Sequence, residues 1–131
     1  MVAEGGDLLK MYSVRIESEF SAAHFLTHYH GKCERLHGHN YRVRVWASGD
    51  ELDAGGMLVD FGLLKAALAT VIGVLDHGNL NDIADFKGDP SAERIAAYVY
   101  DRLTAALPAA PLSRVDVFET DINMASYLPD R

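Results

Sequence analysis

The chain has a single cysteine, so it cannot form an internal disulfide, and the small secreted scaffolds stapled by several bridges are excluded. A reducing compartment suits that thiol. Long apolar runs are also lacking. Charge-free stretches such as Ala66–Leu75 fall well short of the ~20 residues that span a bilayer as a helix. The opening MVAEGGDLLK has neither the basic nor the apolar region of a secretory signal. A cytoplasmic protein without membrane attachment is the expectation. Positive charge is scarce as well: 12 Lys and Arg stand against 19 Asp and Glu, a formal net charge of −7. That argues against nucleic acid as a general partner, because counterion release needs a basic face. There is no internal repeat, low-complexity tract or linker. Residues 1–10, with their Gly-rich EGGD, read as a flexible tail. The remainder, 11–131, reads as one domain, and a chain of 131 residues that is 49% apolar can bury roughly two-thirds of its unfolded surface.

Periodicity supplies the layout. Tyr12, Val14, Ile16, Phe20, Ala22 and His24 alternate with Arg15, Glu17 and Glu19, which predicts a half-buried strand over 12–24. His37, His39, Tyr41, Val43, Val45 and Ala47 alternate likewise against Arg42 and Arg44. The two strands are expected to pair antiparallel through LTHYHGKCERL. Asp60 reads as an N-cap, followed at helical spacing by Phe61, Leu64, Leu68, Val71, Ile72 and Leu75. A second helix begins near GDPSAERIA, capped by Asp89 or Ser91, with Ile95, Val99, Leu103 and Ala106 on one stripe and Pro108 beyond its end. SRVDVFET alternates as a third strand, and MASYL makes a short fourth. The order ββααββ predicts an α+β fold, an antiparallel sheet with two helices on one face.

Phase also sorts the polar residues. His37 and His39 point to the same side of their strand, and His24 emerges on the apolar side of the neighbouring one. Three neutral imidazoles with an open fourth position are the arrangement of catalytic rather than structural zinc. Cys33 lies between Lys32 and Glu34, a polar setting that does not suit the inert buried position usual for a lone cysteine. LDHGNLND reads on its own as a helix end, with His77 favouring the dipole and Gly78 breaking the helix. Glu119, in phase with Val115 and Val117 at the end of an apolar strand face, needs a partner.

FSAAH, CERLHGHNY, VDFGLLK, LDHGNLND and VFET together resemble the family of 6-pyruvoyltetrahydropterin and 6-carboxytetrahydropterin synthases, from about Tyr12 to Tyr127, with the nearest look to the 6-carboxy-forming members of queuosine biosynthesis. The resemblance implies the tunnelling fold (T-fold), in which subunits associate into a barrel of strands, as a homo-oligomer, most simply a hexamer, with active sites at subunit interfaces. It implies Zn2+ held by His24, His37 and His39, a catalytic thiol at Cys33, a catalytic pair at Asp76 and His77, and a pterin-anchoring carboxylate at Glu119. The implied substrate is 7,8-dihydroneopterin triphosphate, and the implied products are 6-carboxy-5,6,7,8-tetrahydropterin, acetaldehyde and triphosphate. Glu34 is a possible second acid or base, because relatives that make 6-hydroxymethyldihydropterin use a glutamate near this position. A pyruvoyl-forming or hydroxymethyl-forming enzyme and a non-catalytic pterin- or metal-binding domain are the alternatives. Lys32, Arg35 and Lys87 are the candidate cations for the triphosphate. The chain carries PSAE where the family often has Pro-Thr-Ser-Glu, which leaves hydroxyl contacts near Ser91 open.

Overall fold

A computed structural model describes residues 11–28, 31 and 34–129; the N-terminal segment 1–10 and both Lys32 and Cys33 lie outside the described residues. Strands β1 (Tyr12–His24) and β2 (His37–Gly49) are followed by helices α1 (Phe61–Leu75) and α2 (Ala92–Ala106), then by strands β3 (Leu112–Phe118) and β4 (Met124–Tyr127). Single 3-10 turns at Leu80–Asp82 and Ala84–Phe86 lie between the helices. The four strands form one antiparallel sheet in the order β1-β2-β3-β4, so the ββααββ order expected from periodicity is the order found.

The alternation that predicts the strands also selects their faces. Ile16, Phe20, Tyr41, Val43, Val45, Val115 and Val117 are buried on one side of the sheet and pack there against Leu64, Leu68 and Leu75 of α1 and Ile95, Val99 and Leu103 of α2. Phe20 stacks on Tyr41 at 4.7 Å between ring centroids. Asp60 caps α1 by accepting from the amides of Gly62 and Leu63. Ser91 is the cap of α2, its Oγ accepting from Arg94 N at 3.2 Å; Asp89, the other candidate, turns its carboxylate elsewhere. Two positions depart from the expected stripes. Phe61 is 42% exposed, because the first turn of α1 lies at the rim of the sheet, where Phe61 shares a shallow cleft with Tyr12, Leu52 and Met57. Ala106 is exposed, and Leu107, whose amide closes the helix on Leu103 O, packs against the core instead.

The opposite face of the sheet is polar and paired. Arg44 donates to Glu17 at 2.6 Å. Arg42 and Arg44 both lie over the Phe118 ring, and Arg15 and Arg114 over Trp46. At its centre Asp116, only 1% exposed, accepts from Trp46 Nε1 at 2.8 Å, Arg114 Nε at 2.6 Å and Ser126 Oγ at 2.6 Å. One carboxylate thus joins β2, β3 and β4. Burial pushes its pKa up, but the hydroxyl, guanidinium and indole donors outweigh that and hold it below the usual carboxylate range.

Asp116→Ala strands those donors and is expected to lower the unfolding free energy by about 2–3 kcal/mol, as read by urea denaturation at neutral pH. The sign with pH follows from the depressed folded-state pKa. The contribution is complete above the unfolded value near ~3.9 and is lost as pH falls through the folded value. The stability gap between wild type and Asp116→Ala should therefore shrink in acid.

Candidate active site

The β1–β2 register sets His24 opposite His37 and Ala22 opposite His39. Since His37 and His39 are two residues apart on one strand, all three imidazoles gather on the helix-facing side at one end of the sheet. Their ligand atoms lie within 4.8 Å of one another. His24 is 1% exposed; His37 and His39 are partly buried. His24 Nδ1 donates to Pro90 O at 2.8 Å, and His37 Nδ1 donates to Arg35 O at 2.7 Å. A carbonyl can only accept, so each Nδ1 carries a proton and each neutral ring presents the lone pair of Nε2. Those two Nε2 atoms face each other at 3.0 Å. Two lone pairs at that distance repel unless a cation lies between or beside them. His39 Nε2 is buried without a hydrogen bond among the described residues, and burial lowers the His39 pKa against the opposing pull of Glu119. The three residues can hold a metal ion: they form a neutral nitrogen donor set with two tautomers already chosen by second contacts.

Glu119 lies just past β3. Because Arg42 pairs with Phe118, the next residue comes opposite Tyr41 on the inner side of the sheet. Its Oε2 stands 3.2 Å from His39 Nε2 and 3.8 Å from His24 Nε2. The carboxylate therefore borders the histidine group, with no hydrogen bond to His39 Nε2 among the described residues.

Asp76 ends α1 in an extended conformation. Its Oδ1 accepts from Ser21 N at 2.9 Å, and its Oδ2 stands 2.9 Å from His77 Nδ1. The sequence reads Gly78 as the residue that breaks the helix; the left-handed residue is His77, at φ 60°. This conformation is uncommon for a residue with a side chain, and His is among those that tolerate it. Its cause is a docked backbone: His77 N donates to Ser21 O at 2.6 Å and Ala23 N donates to Gly78 O at 2.9 Å, so the segment adds to the outer edge of β1. The Ser21 amide, helped by His77, keeps the Asp76 carboxyl below its usual range. Held through Nδ1, the imidazole is 83% exposed and shares a cleft of about 400 Å³ with Ser21, Gly38 and His39.

The remaining sequence candidates scatter. Cys33 and Lys32 lie outside the described residues. Glu34 forms a tight turn with Gly31, its amide donating to Gly31 O at 3.1 Å and its Oε1 accepting from Gly31 N at 3.2 Å. Arg35 contributes its carbonyl to His37. Lys87 lines a different cleft, with Arg94, Tyr98 and Arg102 on the flank of α2. The residues that sequence reasoning missed are those that hold the site: Pro90, whose carbonyl sets the His24 tautomer, and Asn81, whose side chain bonds Phe25. Their roles leave no local signal, because each acts across more than fifty positions of chain.

Comparison with known proteins agrees in extent with this architecture. A family model described as 6-pyruvoyl tetrahydropterin synthase matches residues 13–130. A Synechocystis protein named 6-carboxy-5,6,7,8-tetrahydropterin synthase is 40% identical over 127 residues, covering 92% of this chain and 96% of that protein. A Bacillus subtilis protein of the same name is 36% identical, covering 92% and 87%. The human 6-pyruvoyl tetrahydrobiopterin synthase is 34% identical, covering 97% and 98%. Among solved structures, that of Caenorhabditis elegans 6-pyruvoyl tetrahydropterin synthase superposes with a TM-score of 0.83 at 29% identity, over 93% of this chain and 98% of that one.

If the three imidazoles are one donor set, removing any of them should release the ion. Purified wild-type protein is expected to carry about one metal ion per chain, and His39→Ala to carry a small fraction of that with its far-UV circular dichroism unchanged. Elemental analysis checks this, and equal metal content in both proteins would refute the site.

Proposed function

The chain belongs to the 6-pyruvoyl tetrahydropterin synthase family, and from that premise we propose that it is a lyase converting 7,8-dihydroneopterin triphosphate to 6-carboxy-5,6,7,8-tetrahydropterin, with release of acetaldehyde and triphosphate. The observation that carries the reading is the pair of facing Nε2 lone pairs, 3.0 Å apart, beside the Glu119 carboxylate and on the same cleft-bearing end of the sheet as the Asp76–His77 pair. The carboxy product is supported by the names of the Synechocystis and Bacillus subtilis relatives, and it places the enzyme in 7-deazapurine (queuosine) biosynthesis.

We assign the metal as zinc, since three neutral imidazoles suit it. When bound, zinc supplies a Lewis acid that polarises the hydroxyls of the substrate side chain. His24, His37 and His39 hold it, and their carbonyl partners keep the donor atoms aimed. Cys33 is the base that takes the carbon-bound proton, a role a thiol can fill at neutral pH where a metal or basic residues such as Lys32 and Arg35 favour its thiolate. Asp76 holds the Nδ1 proton of His77, which leaves Nε2 to accept and return a proton. Glu119 supplies two acceptor oxygens for the amino group and ring N–H of the pterin, parallel donors that a carboxylate matches. Glu34 is already engaged in its turn with Gly31, which favours the thiol as base.

The assembly we propose is a homo-oligomer, a hexamer in its simplest form, with active sites at subunit interfaces. Among the described residues, the outer edge of β1 is covered only near Ser21–Ala23, by the His77–Asn79 segment, and β4 is the other edge of the sheet. Edge strands of this kind are satisfied by pairing with another copy, and the exposed His77 is then free to serve a neighbour's thiol. Residues 11–131 act as one unit in this scheme, with residues 1–10 as an appended tail. Among the described residues no helix is long and apolar enough to cross a membrane; the location we propose is cytoplasmic.

Incubation with 7,8-dihydroneopterin triphosphate should yield 6-carboxytetrahydropterin and acetaldehyde by mass spectrometry. A pyruvoyl or hydroxymethyl pterin as main product would replace this reading with one of its relatives. Cys33→Ala is expected to abolish both products while metal stays bound, and Glu34→Ala to keep most activity; the opposite pattern would make the glutamate the base. Glu119→Gln is expected to weaken substrate binding by about 1–3 kcal/mol, seen as a raised KM. A loss confined to kcat would move Glu119 from binding to chemistry.

A further inference from the structure

Three successive residues of the turn before α2 are tied to the segment in which β1 ends. Pro90 O accepts from His24 Nδ1 at 2.8 Å. Asp89 Oδ1 accepts from Thr27 N at 2.6 Å and from Thr27 Oγ1 at 2.7 Å, and its Oδ2 stands 2.6 Å from His28 Nδ1. Gly88 O accepts from Asn81 Nδ2 at 3.1 Å, and the same side chain brackets Phe25, donating to its carbonyl at 2.9 Å and accepting from its amide at 2.8 Å. The turn is itself braced: Asp89 N donates to Phe86 O at 3.0 Å, Ser91 N to Asp89 O at 2.9 Å and Arg94 Nη1 to Phe86 O at 2.7 Å. Its frame is α2, whose apolar stripe is buried in the core.

The position of these ties matters. The segment between His24 and His37 joins two of the three histidines and carries Cys33 and Glu34. A connection held only at its ends must lose about 1–2 kcal/mol of backbone entropy for each residue it orders, so an extra anchor near its start narrows where the rest can go. Asp89 supplies that anchor on the same turn that fixes His24. Its carboxylate is 17% exposed, whereas the imidazole it holds is 88% exposed. An ion pair with so exposed a partner is worth little, so the two Thr27 donors carry the order. They are also the main reason the Asp89 pKa is lowered to about 2, which keeps the acceptor charged at any working pH.

We infer that Asp89 is a positioning residue for the reaction: through Thr27 it ties the chain that leaves His24, and runs on in sequence to Cys33, to the turn whose Pro90 carbonyl aims His24. The inference rests on the thiol chemistry proposed above. It is distinct from a helix-capping role, since Ser91 caps α2, and from a catalytic role, since Asp89 acts through Thr27.

The test uses the full-length protein and three variants. Asp89→Ala removes the acceptor. Asp89→Asn keeps an oxygen for Thr27 but loses the charge facing His28. His28→Gln removes the imidazole and leaves the Thr27 bonds intact. With 7,8-dihydroneopterin triphosphate, Asp89→Ala is expected to lower kcat about 10- to 100-fold, the cost of a misplacement on the ångström scale, with KM and metal content near wild type. Asp89→Asn should recover most of that loss, and His28→Gln should resemble wild type. A second reading needs no substrate. Cys33 is the only cysteine, so the rate at which the protein reacts with a disulfide reagent reports on that position alone, and it should change about threefold or more in Asp89→Ala and return toward wild type in Asp89→Asn. Should Asp89→Ala fail to fold, Thr27→Val, which removes one of the two donors, carries the same expectation at smaller amplitude. The inference is overturned if kcat and thiol rate are unchanged in Asp89→Ala, if Asp89→Asn is as impaired as Asp89→Ala, if the loss falls on KM alone, or if His28→Gln reproduces it. Wild-type protein that does not turn the substrate over would sink the proposed function, and the thiol rates would still decide this point.

Discussion

The antiparallel pairing of β1 with β2 holds one register over their full thirteen-residue length, from Tyr12 with Gly49 to His24 with His37. Side chains alternate with a period of two, so a slip of one residue would exchange the faces of a strand. Val43 and Val45 would then leave the core, Arg42 and Arg44 would enter it, and His37 and His39 would turn away from His24. The pattern that builds the core is therefore the one that gathers the imidazoles. Burying the apolar face also buries His24, and that burial is tolerable because Pro90 O accepts its proton-bearing nitrogen.

Two chain reversals then finish what the register begins. On one flank the end of α1 folds onto β1, where the Asp76 carboxylate takes the Ser21 amide and His77 adopts a left-handed conformation. On the other flank the turn before α2 holds His24 and the residues after it. Helix termini are where backbone and side-chain polar groups remain available for such bonds. Both helices bury their apolar stripes in one core, so the two flanks are positioned by the same packing that supports the sheet.

Charge is distributed unevenly in this acidic chain. Arg15, Arg42, Arg44 and Arg114 collect on the outer face of the sheet, stacked on Phe118 and Trp46 and partnered by Glu17, Asp116 and Asp121. The helix-facing side of the same sheet carries three imidazoles and one carboxylate at its end. The three imidazoles add no negative charge at that end, so Glu119 is the acidic member of this cluster in a protein of net charge −7.

Strands, helices and the phase of each were legible in the sequence because period is a local property. A period of two over 12–24 and 37–47, and helical spacing after Asp60 and Ser91, already assign which side chains face the core. The three histidines follow from that phase alone, and so does the need of Glu119 for a partner. The sequence could not decide which of Asp89 and Ser91 caps α2, or which residue at the end of α1 turns left-handed. Those outcomes rest on contacts between residues 55 to 66 positions apart: Ser21 with Asp76, Thr27 with Asp89, His24 with Pro90. Such contacts exist only once helices and sheet have packed, and it was the tertiary structure that converted three histidines on one face into a donor set with chosen tautomers and turned Asp89 from a cap into a tie.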